Sequence, residues 1–314
     1  MKNDAPPRLA VPLCGLTLQN PVIAASGTFG YGVEFAGLVE LDRLGGLVVK
    51  GLSREPMPGN PEPRLYETAS GMLNSVGLQN IGVRVFVQEK LPSLAGLRAA
   101  VFANVFGHQV DDYVEVIRVL EDAAGLAGYE LNVSCPNTRR GGQQFGAEPG
   151  LLEEVVGAAK GAVRSGRPLM VKLSPNVGDI AALARAAEQA GADAVSLVNT
   201  FSGLAIDARR RRPRLGAGFG GLSGPAIKPV ALAMVCRASR AVRIPVVGLG
   251  GVASGEEVAE FLLAGATAVQ VGTAAFWDPQ APARIAGEFD RFLRREGIAA
   301  ARDLIGGLEM NSSG

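Results

Sequence analysis

The segment YELNVSC, residues 129–135, brings an amide and a thiol to the end of what its apolar residues predict to be a buried strand. Asn132 can both donate and accept hydrogen bonds, and Cys135 can act as a base when its thiol ionises. Pro136 follows at once and prevents a helix from starting, and the glycine-rich run up to Gly146 allows the next loop to hinge. This pattern predicts a catalytic thiol, with a small buried structural cysteine as the alternative.

Polar residues also close the other apolar runs of the chain. The residues at these ends are Ser26, Lys50 with Gly51, Asn104, Lys172, Asn199 with Thr200, Gly250 with Gly251, and Gly272 with Thr273. The carboxyl ends of parallel strands meet at one mouth of a barrel, so these groups are expected to converge. Because an unpaired buried polar group costs about 1–3 kcal/mol, their convergence predicts a polar ligand.

The last two strand ends predict a phosphate site. The runs IPVVGLGG and AVQVGTAA both end in a glycine turn, and Ser254 is the predicted N-cap of the helix after the first turn. Free backbone N–H groups at such turns bind phosphate, and the loops after strands seven and eight of a barrel commonly do so. The pattern predicts a phosphorylated cofactor such as FMN. The alternative is that these are ordinary turns between a strand and a helix.

The elements that must position these residues alternate regularly along the chain. The apolar runs are VIAASG (22–27), GLVVKGL (46–52), AVFANVFG (100–107), YELNVSC (129–135), LMVKLSP (169–175), AVSLVNT (194–200), IPVVGLGG (244–251) and AVQVGTAA (268–275). Helix-like segments lie between them at 111–124, 151–163, 179–190, 226–239 and 255–265. This order predicts an α/β protein whose residues 1–314 form a single-domain (β/α)8 TIM barrel, with a doubly wound sheet as the alternative.

Two insertions interrupt the repeat after predicted strands. Residues 53–80 and 201–225 are rich in Gly and Pro and are too long for plain βα loops. Both are expected to lie over the C-terminal face, where the site of a barrel is found. The Arg209–Arg212 run in the second insertion is interpreted as a solvated loop, with a contact to a partner as the alternative.

Composition excludes several other classes of protein. The net charge of +1 gives no field that attracts nucleic acid or an anionic membrane. No apolar run reaches the roughly 18 residues that span a bilayer, so no membrane partner is expected. The chain has three cysteines without metal-ligand spacing and a single histidine, His108, so we expect no metal site and a reducing, cytoplasmic setting.

Several longer motifs together resemble one known family. They are VVKGL, MLNSVGLQN (72–80), NVSCPNT, VKLSPNV, SLVNT, GGLSGPAIKP, VVGLGGV and QVGTA. They resemble the dihydroorotate dehydrogenases of pyrimidine synthesis, which are FMN-dependent (β/α)8 barrels, and the resemblance covers nearly the whole chain. In class 1 of this family the active-site base is a cysteine, and Cys135 takes its place here.

The resemblance also implies an electron acceptor and partners. The insertion before GGLSGPAIKP and the loop GGQQFGAEPGLLEEVV look like subclass 1B, which reduces NAD through a partner subunit that carries FAD and a 2Fe–2S cluster. The implied assembly is a homodimer core within a heterotetramer. The alternatives are a fumarate-linked 1A homodimer, a dihydropyrimidine dehydrogenase-like flavin barrel, and a barrel that only binds a phosphorylated ligand.

The resemblance assigns roles to individual residues. It implies Cys135 and Lys50 as catalytic groups in the oxidation of dihydroorotate to orotate. The implied FMN contacts are Ser26, Lys50, Gly51, Asn104, Asn132, Lys172, Val198, Gly224, Gly250, Gly251, Gly272 and Thr273. The implied substrate contacts are Lys50, Asn74, Ser75, Val76, Gly77, Leu78, Asn132, Asn199 and Thr200.

Overall fold

The centre of the computed structural model, which describes residues 8–133 and 145–310, is a closed barrel of eight parallel strands. In chain order the strands are β1 (Val11–Leu13), β2 (Leu16–Leu18), β3 (Val22–Ala24), β4 (Gly46–Val48), β5 (Leu65–Thr68), β6 (Gly71–Asn74), β7 (Ala100–Val105), β8 (Gly128–Asn132), β9 (Leu169–Lys172), β10 (Ala194–Leu197), β11 (Phe201–Gly203), β12 (Ile206–Asp207), β13 (Arg212–Pro213), β14 (Gly220–Ser223), β15 (Val246–Leu249) and β16 (Ala268–Val271). The barrel order is β10-β15-β16-β3-β4-β7-β8-β9. The predicted (β/α)8 barrel is therefore confirmed.

Each barrel strand overlaps one of the predicted apolar runs and ends before the run does. Where the end of a run lies within the described residues, its last residues leave the ladder and turn towards the mouth of the barrel, which is why they include the polar groups named above. That residues 1–314 form one domain stays a prediction, since both termini extend beyond the described residues.

Helices pack around the barrel. They are α1 (Val83–Val85), α2 (Val110–Glu121), α3 (Pro149–Ala162), α4 (Ile180–Gln189), α5 (Lys228–Ser239), α6 (Gly255–Leu263), α7 (Ala274–Trp277) and α8 (Ala281–Arg295). Short 3₁₀ turns lie at Val33–Phe35, Leu41–Arg43, Leu91–Leu94, Pro225–Ile227 and Ala301–Leu304, and a π turn lies at Phe86–Lys90. Ser254 is the N-cap of α6 as predicted, and its hydroxyl accepts from Glu257 N.

The two insertions pair with each other instead of forming separate loops. The four-stranded antiparallel sheet β11-β14-β6-β5, called the cap sheet below, takes two strands from each insertion. Its central pairing joins Asn74 of β6 to Gly221 of β14. Because β6 follows barrel strand β4 and β11 follows β10, the cap sheet lies over the C-terminal face, where both insertions were expected.

Most residues of the barrel strands are apolar and buried, and one polar cluster lies among them. Tyr129, Val195 and Val247 are among the many fully buried apolar residues of these strands. Asn104, Glu130, Lys172, Ser196 and Gln270 lie on the same strands and are also buried, with exposed fractions of 0–6%. These polar residues lie directly beneath the mouth.

Candidate active site

One cavity of about 640 Å³ opens between the strand ends of the barrel and the cap sheet. All described residues that were predicted to contact cofactor or substrate line this cavity. Their individual roles stay predictions. These residues are Ser26, Lys50, Gly51, Asn74, Ser75, Val76, Gly77, Leu78, Asn104, Asn132, Lys172, Val198, Asn199, Thr200, Gly224, Gly250, Gly251, Gly272 and Thr273. Cys135 and most of the glycine-rich loop lie outside the described residues.

Lys50 brings a cation to one wall of the cavity. It follows β4, and its backbone N–H donates to Gly30 O at 2.8 Å, which fixes the chain where the strand ends. Burial lowers the pKa of the Lys50 ammonium, the positive charge of Arg64 lowers it further, and Glu34 opposes both effects. Arg64 is itself held by the carbonyl oxygens of Asn60 and Pro58. Lys50 therefore sheds its proton more readily than an exposed lysine.

Lys172 brings a second cation to the floor of the cavity. It is the last residue of β9 and is 6% exposed. Its Nζ lies 3.9 Å from Oε1 of Glu130, which is fully buried on the neighbouring strand β8. The floor therefore carries an ion pair shielded from solvent, where charges interact more strongly than in water.

Amide side chains line the side of the cavity next to the cap sheet. Asn199 donates from Nδ2 to Oδ1 of Asn132 at 3.5 Å and accepts the backbone N–H of Thr200 at 2.8 Å. Asn74 donates from Nδ2 to Gly221 O at 3.3 Å. Amides offer both donors and acceptors, so this wall suits the alternating N–H and C=O groups of a pyrimidine ring.

Glycine turns form another part of the cavity wall. Gly224, Gly250 and Gly251 have φ values of 93°, 132° and 84°, which favour glycine over residues with a side chain. A Cβ atom on Gly251 would lie 2.9 Å from Gly224 O, so the two backbones approach closely here. Next to them, Thr273 Oγ1 donates to Ser223 Oγ at 2.8 Å. Their role in binding phosphate stays a prediction.

Two unpaired acceptors test whether this cavity fits FMN. Oδ1 of Asn104 and Oε1 of Gln270 are buried without a hydrogen-bond partner, and both residues line the cavity. A buried acceptor without a partner is costly, so a ligand that brings an N–H donor would satisfy it. The flavin ring carries such a donor at N3, and two lysines supply positive charge for its electron-rich form. The residues present therefore fit FMN.

Three polar residues of the barrel interior were not predicted from the sequence. Gln270 lines the cavity, and Glu130 and Ser196 lie beneath it. The sequence feature that could have identified them is a polar residue in the middle of an otherwise apolar strand, as in AVQV, YELN and AVSL. A polar side chain in a strand that is covered on both faces needs a hydrogen-bond partner inside the protein.

Other sequence predictions concern residues at the edge of the site. His108 lines the cavity. The Arg209–Arg212 run lies on and beside the small hairpin β12–β13 and is exposed, as expected of a solvated loop. Across residues 8–133 and 145–310, no group of three His, Cys, Asp or Glu residues is arranged to hold a metal ion. No helix within those same ranges has the length and apolar character needed to cross a membrane.

Comparisons with known proteins agree on one family. A family model described as "Dihydroorotate dehydrogenase" matches residues 8–293. The chain is 69% identical over 303 residues to "Putative dihydroorotate dehydrogenase A (fumarate)" of Solibacter usitatus (strain Ellin6076), covering 96% of this chain and 99% of that relative. It is 50% identical to "Dihydroorotate dehydrogenase B (NAD(+)), catalytic subunit" of Geobacter sp. (strain M21), covering 97% and 99%.

The comparison with solved structures concerns the fold. The structure of DHODH in complex with ferulenol from Eimeria tenella matches with a TM-score of 0.81 at 22% identity, covering 98% of this chain and 90% of that one. At this identity the match supports the barrel architecture and says nothing further about the site.

Proposed function

Because the chain belongs to the dihydroorotate dehydrogenase family, we propose that it oxidises dihydroorotate to orotate in pyrimidine synthesis with FMN as its cofactor. The observation that carries the proposal is the single cavity on which the strand-end lysines, the amides and the glycine turns converge. Each of these groups has a match in the chemistry of a flavin and of a pyrimidine that bears a carboxylate.

The reaction forms one C=C bond in the substrate ring. A proton leaves the ring carbon next to the carbonyl, and a hydride leaves the neighbouring carbon that bears the carboxylate. Cys135 is the proposed base for the proton, because a thiol ionises closer to neutral pH than any hydroxyl. Bound FMN supplies the acceptor for the hydride.

The residues of the cavity are proposed to orient and stabilise the two ligands. The amides of Asn74, Asn132 and Asn199 are placed to hold the pyrimidine edge of the substrate. Lys50 is placed to stabilise negative charge on the substrate or the flavin, and Lys172 to do so on the flavin. The glycine turns at Gly250–Gly251 and Gly272–Thr273 are proposed to receive the phosphate.

The proposed electron acceptor is NAD, reached through a partner subunit that carries FAD and a 2Fe–2S cluster. Several relatives at about half identity are named catalytic subunits of the NAD(+) type, and the word subunit supports a partner. The relative at 69% identity carries the fumarate name, and this observation favours fumarate as the second candidate acceptor. A homodimer core and a cytoplasmic location complete the proposal.

Cofactor content and product formation test the activity. We expect the purified chain to be yellow, to hold about one FMN per chain, and to form orotate from dihydroorotate with an artificial dye as acceptor. The measurements are the visible spectrum, the flavin released on denaturation, and the absorbance of orotate. A colourless protein that cannot be reconstituted with FMN would contradict the proposal.

A separate comparison of acceptors tests the partner. A 2Fe–2S cluster needs four ligands, and the chain has three cysteines, so the isolated chain is expected to reduce NAD poorly. Rapid NAD reduction should require an added FAD and iron–sulfur subunit. Efficient reduction of fumarate by the chain alone would instead assign it to the fumarate-linked type, and the oxidation of dihydroorotate would stand.

A further inference from the structure

Glu130 is a fully buried acid beneath the floor of the candidate active-site cavity, and it belongs to none of the groups assigned above. Its Oε1 accepts from Asn104 Nδ2 at 2.8 Å and lies 3.9 Å from Lys172 Nζ. Its Oε2 accepts from Ser196 Oγ at 2.9 Å and from Gln270 Nε2 at 2.5 Å. Every described partner of the carboxylate is therefore a donor.

Branched apolar side chains can fill the interior of a barrel. A buried charge in the place of such a side chain is not expected to make the fold more stable. The polar cluster around Glu130 therefore calls for another explanation. Its position supplies one, because Asn104, Lys172 and Gln270 all extend from Glu130 to the surface of the cavity.

The carboxylate determines how the two amides are oriented. An amide side chain can present either its oxygen or its NH₂ group, and a carboxylate only accepts hydrogen bonds. Glu130 thus holds the NH₂ groups of Asn104 and Gln270, which leaves Oδ1 and Oε1 buried without a partner on two residues that line the cavity. The pair of acceptors is complementary to a ligand that donates.

We propose that Glu130 is a positioning residue, which turns the amides of Asn104 and Gln270 so that both present oxygen to the ring N–H of the flavin. The proposal rests on the proposed function, because it takes FMN as the ligand. Glu130 itself does not line the cavity, so it acts through the two amides and through Lys172.

Glu130→Gln tests this role with almost no change of shape. The glutamine has one oxygen and one NH₂ group. Since Oε1 of Glu130 faces Asn104 and Oε2 faces Gln270, the new NH₂ group meets an amide donor in either orientation. One of the two amides must then turn and present its own NH₂ group to the cavity, against the flavin N–H.

The readout is the dissociation constant of FMN and of N3-methyl-FMN, measured by flavin fluorescence on flavin-free protein. The wild type is expected to bind FMN at least about tenfold more tightly than the N3-methyl form, the loss for one hydrogen bond to a buried acceptor. Glu130→Gln is expected to bind FMN about tenfold more weakly and to lose most of this preference. An unchanged preference would overturn the proposal.

A matched control separates positioning from general destabilisation. Glu121→Gln makes the same change at an acid whose partners include Tyr129 and Ser165, outside the cavity. It should keep the preference for FMN over N3-methyl-FMN. A wild type that binds no FMN would sink the proposed function, whereas equal preferences in wild type and Glu130→Gln would sink only the role of Glu130.

A neutron structure of the fully deuterated wild-type protein tests the proposal even if the variant does not fold. The expected nuclear density places deuterons on Nδ2 of Asn104 and Nε2 of Gln270, directed at Glu130, with none on its carboxyl group. A deuteron on the carboxyl group, or an amide oxygen turned towards it, would overturn the assignment.

Discussion

At the scale of single residues, the site combines one predicted base, Cys135, with a lysine, Lys50, whose pKa is lowered by its surroundings. Lys50 is half-buried on the cavity wall, where Arg64 adds a like charge, and the pKa of Lys50 is lowered as a result. Cys135 follows β8, whose last residue Asn132 lines the same cavity. These residues predict how the rate should respond to pH.

Cys135→Ser should keep FMN bound and lose most of the rate near neutral pH. A hydroxyl ionises far less readily than a thiol, so we expect a loss of about a hundredfold or more, the usual contribution of a general base. Raising the pH should recover part of the activity. The measurement is the pH dependence of kcat for dihydroorotate oxidation with a dye.

Cys236→Ser is the matched control for this substitution, because Cys236 lies on α5, away from the cavity. It should leave the rate and its pH dependence as in the wild type. A Cys135→Ser variant with the wild-type rate at neutral pH would show that another group is the base.

Arg64→Gln should shift the alkaline limb of the pH profile to higher pH. Burial is the larger cause of the lowered pKa of Lys50 and stays in place, while the repulsion from Arg64 is removed. Lys50 then keeps its proton to a higher pH, and the activity that needs its charge falls later as pH rises. The profile of kcat/KM measures this shift.

Arg84→Gln removes an arginine that pairs with Glu115 on the outer surface and serves as the control. The profile of this control should superpose on that of the wild type. If Arg64→Gln also left the alkaline limb unmoved, the charge of Lys50 would not limit the rate.

At the scale of elements, one acid ties helix α2 to the turn that leads into strand β9. Glu121, the last residue of α2, accepts from Tyr129 Oη at 2.6 Å, Ser165 Oγ at 2.8 Å and the backbone N–H groups of Arg164 and Ser165 at 2.6 Å. Burial alone would raise the pKa of the Glu121 carboxyl, but these hydrogen bonds outweigh it and hold the pKa at about 2.

Glu121→Gln should destabilise the protein by roughly 1–3 kcal/mol at neutral pH, the usual loss when hydrogen bonds to a charged acceptor are broken. A pKa that is depressed in the folded state stabilises above the unfolded value, and this stabilisation is lost as pH falls through the folded one. The difference between variant and wild type should therefore shrink as pH falls from about 4.5 towards 2.

Denaturant unfolding across this range of pH measures the difference in free energy of unfolding. Glu153→Gln, at an exposed position of α3, is the control and should change stability little at any pH. A constant difference for Glu121→Gln from neutral pH down to about 2 would show that its carboxylate charge is not the source of the stability.

At the scale of the whole molecule, the cap sheet sets the shape of the substrate wall. Gly221 of β14 lies against Thr200, and a Cβ atom at position 221 would fall on the Thr200 hydroxyl. The cap sheet therefore packs directly against Thr200, a residue predicted to contact the substrate.

Gly221→Ala should raise KM for dihydroorotate several-fold and change FMN binding little. The added methyl group must displace Thr200 or move the cap sheet away from it, whereas the predicted flavin contacts, except Gly224, lie on or directly after barrel strands. Steady-state kinetics and flavin titration measure the two effects. Gly157→Ala in α3, where a Cβ meets nothing within 4 Å, is the control with unchanged KM. Equal KM values for both variants would show that Thr200 does not contribute to substrate binding.

Local sequence pattern predicted the barrel well, because eight apolar runs with intervening helices leave few other packings. It also predicted the cavity-lining residues at the strand ends, since the carboxyl ends of parallel strands must meet, whereas residues 74–78, Val198 and Gly224 were implied only by the family resemblance. Hairpin β1–β2 was missed, because its strands have three residues each and give almost no periodicity. The pairing of β6 with β14 was missed as well, since nothing in either segment encodes a partner so distant in the chain.

The Glu130 cluster shows a different limit of the sequence. The residues Glu130, Ser196 and Gln270 in YELN, AVSL and AVQV are recognisable as polar residues within apolar strands. Their mutual contact depends on the register of the pairings that connect β8, β9, β10, β15 and β16. Register across a closed barrel is a property of the assembled molecule.

The pairing of β6 with β14 also determines the order of folding steps while the chain is being translated. The contact between Asn74 and Gly221 spans 147 residues, so β6 leaves the ribosome long before its partner exists. Until then β5 and β6 form an isolated hairpin, which is marginal in water, and non-local pairing of this kind forms slowly. The roof of the cavity is thus completed only after most of the chain has been translated. Stable retention of the flavin therefore belongs to the last stage of maturation, and nascent chains that stop before β14 have no finished pocket to load.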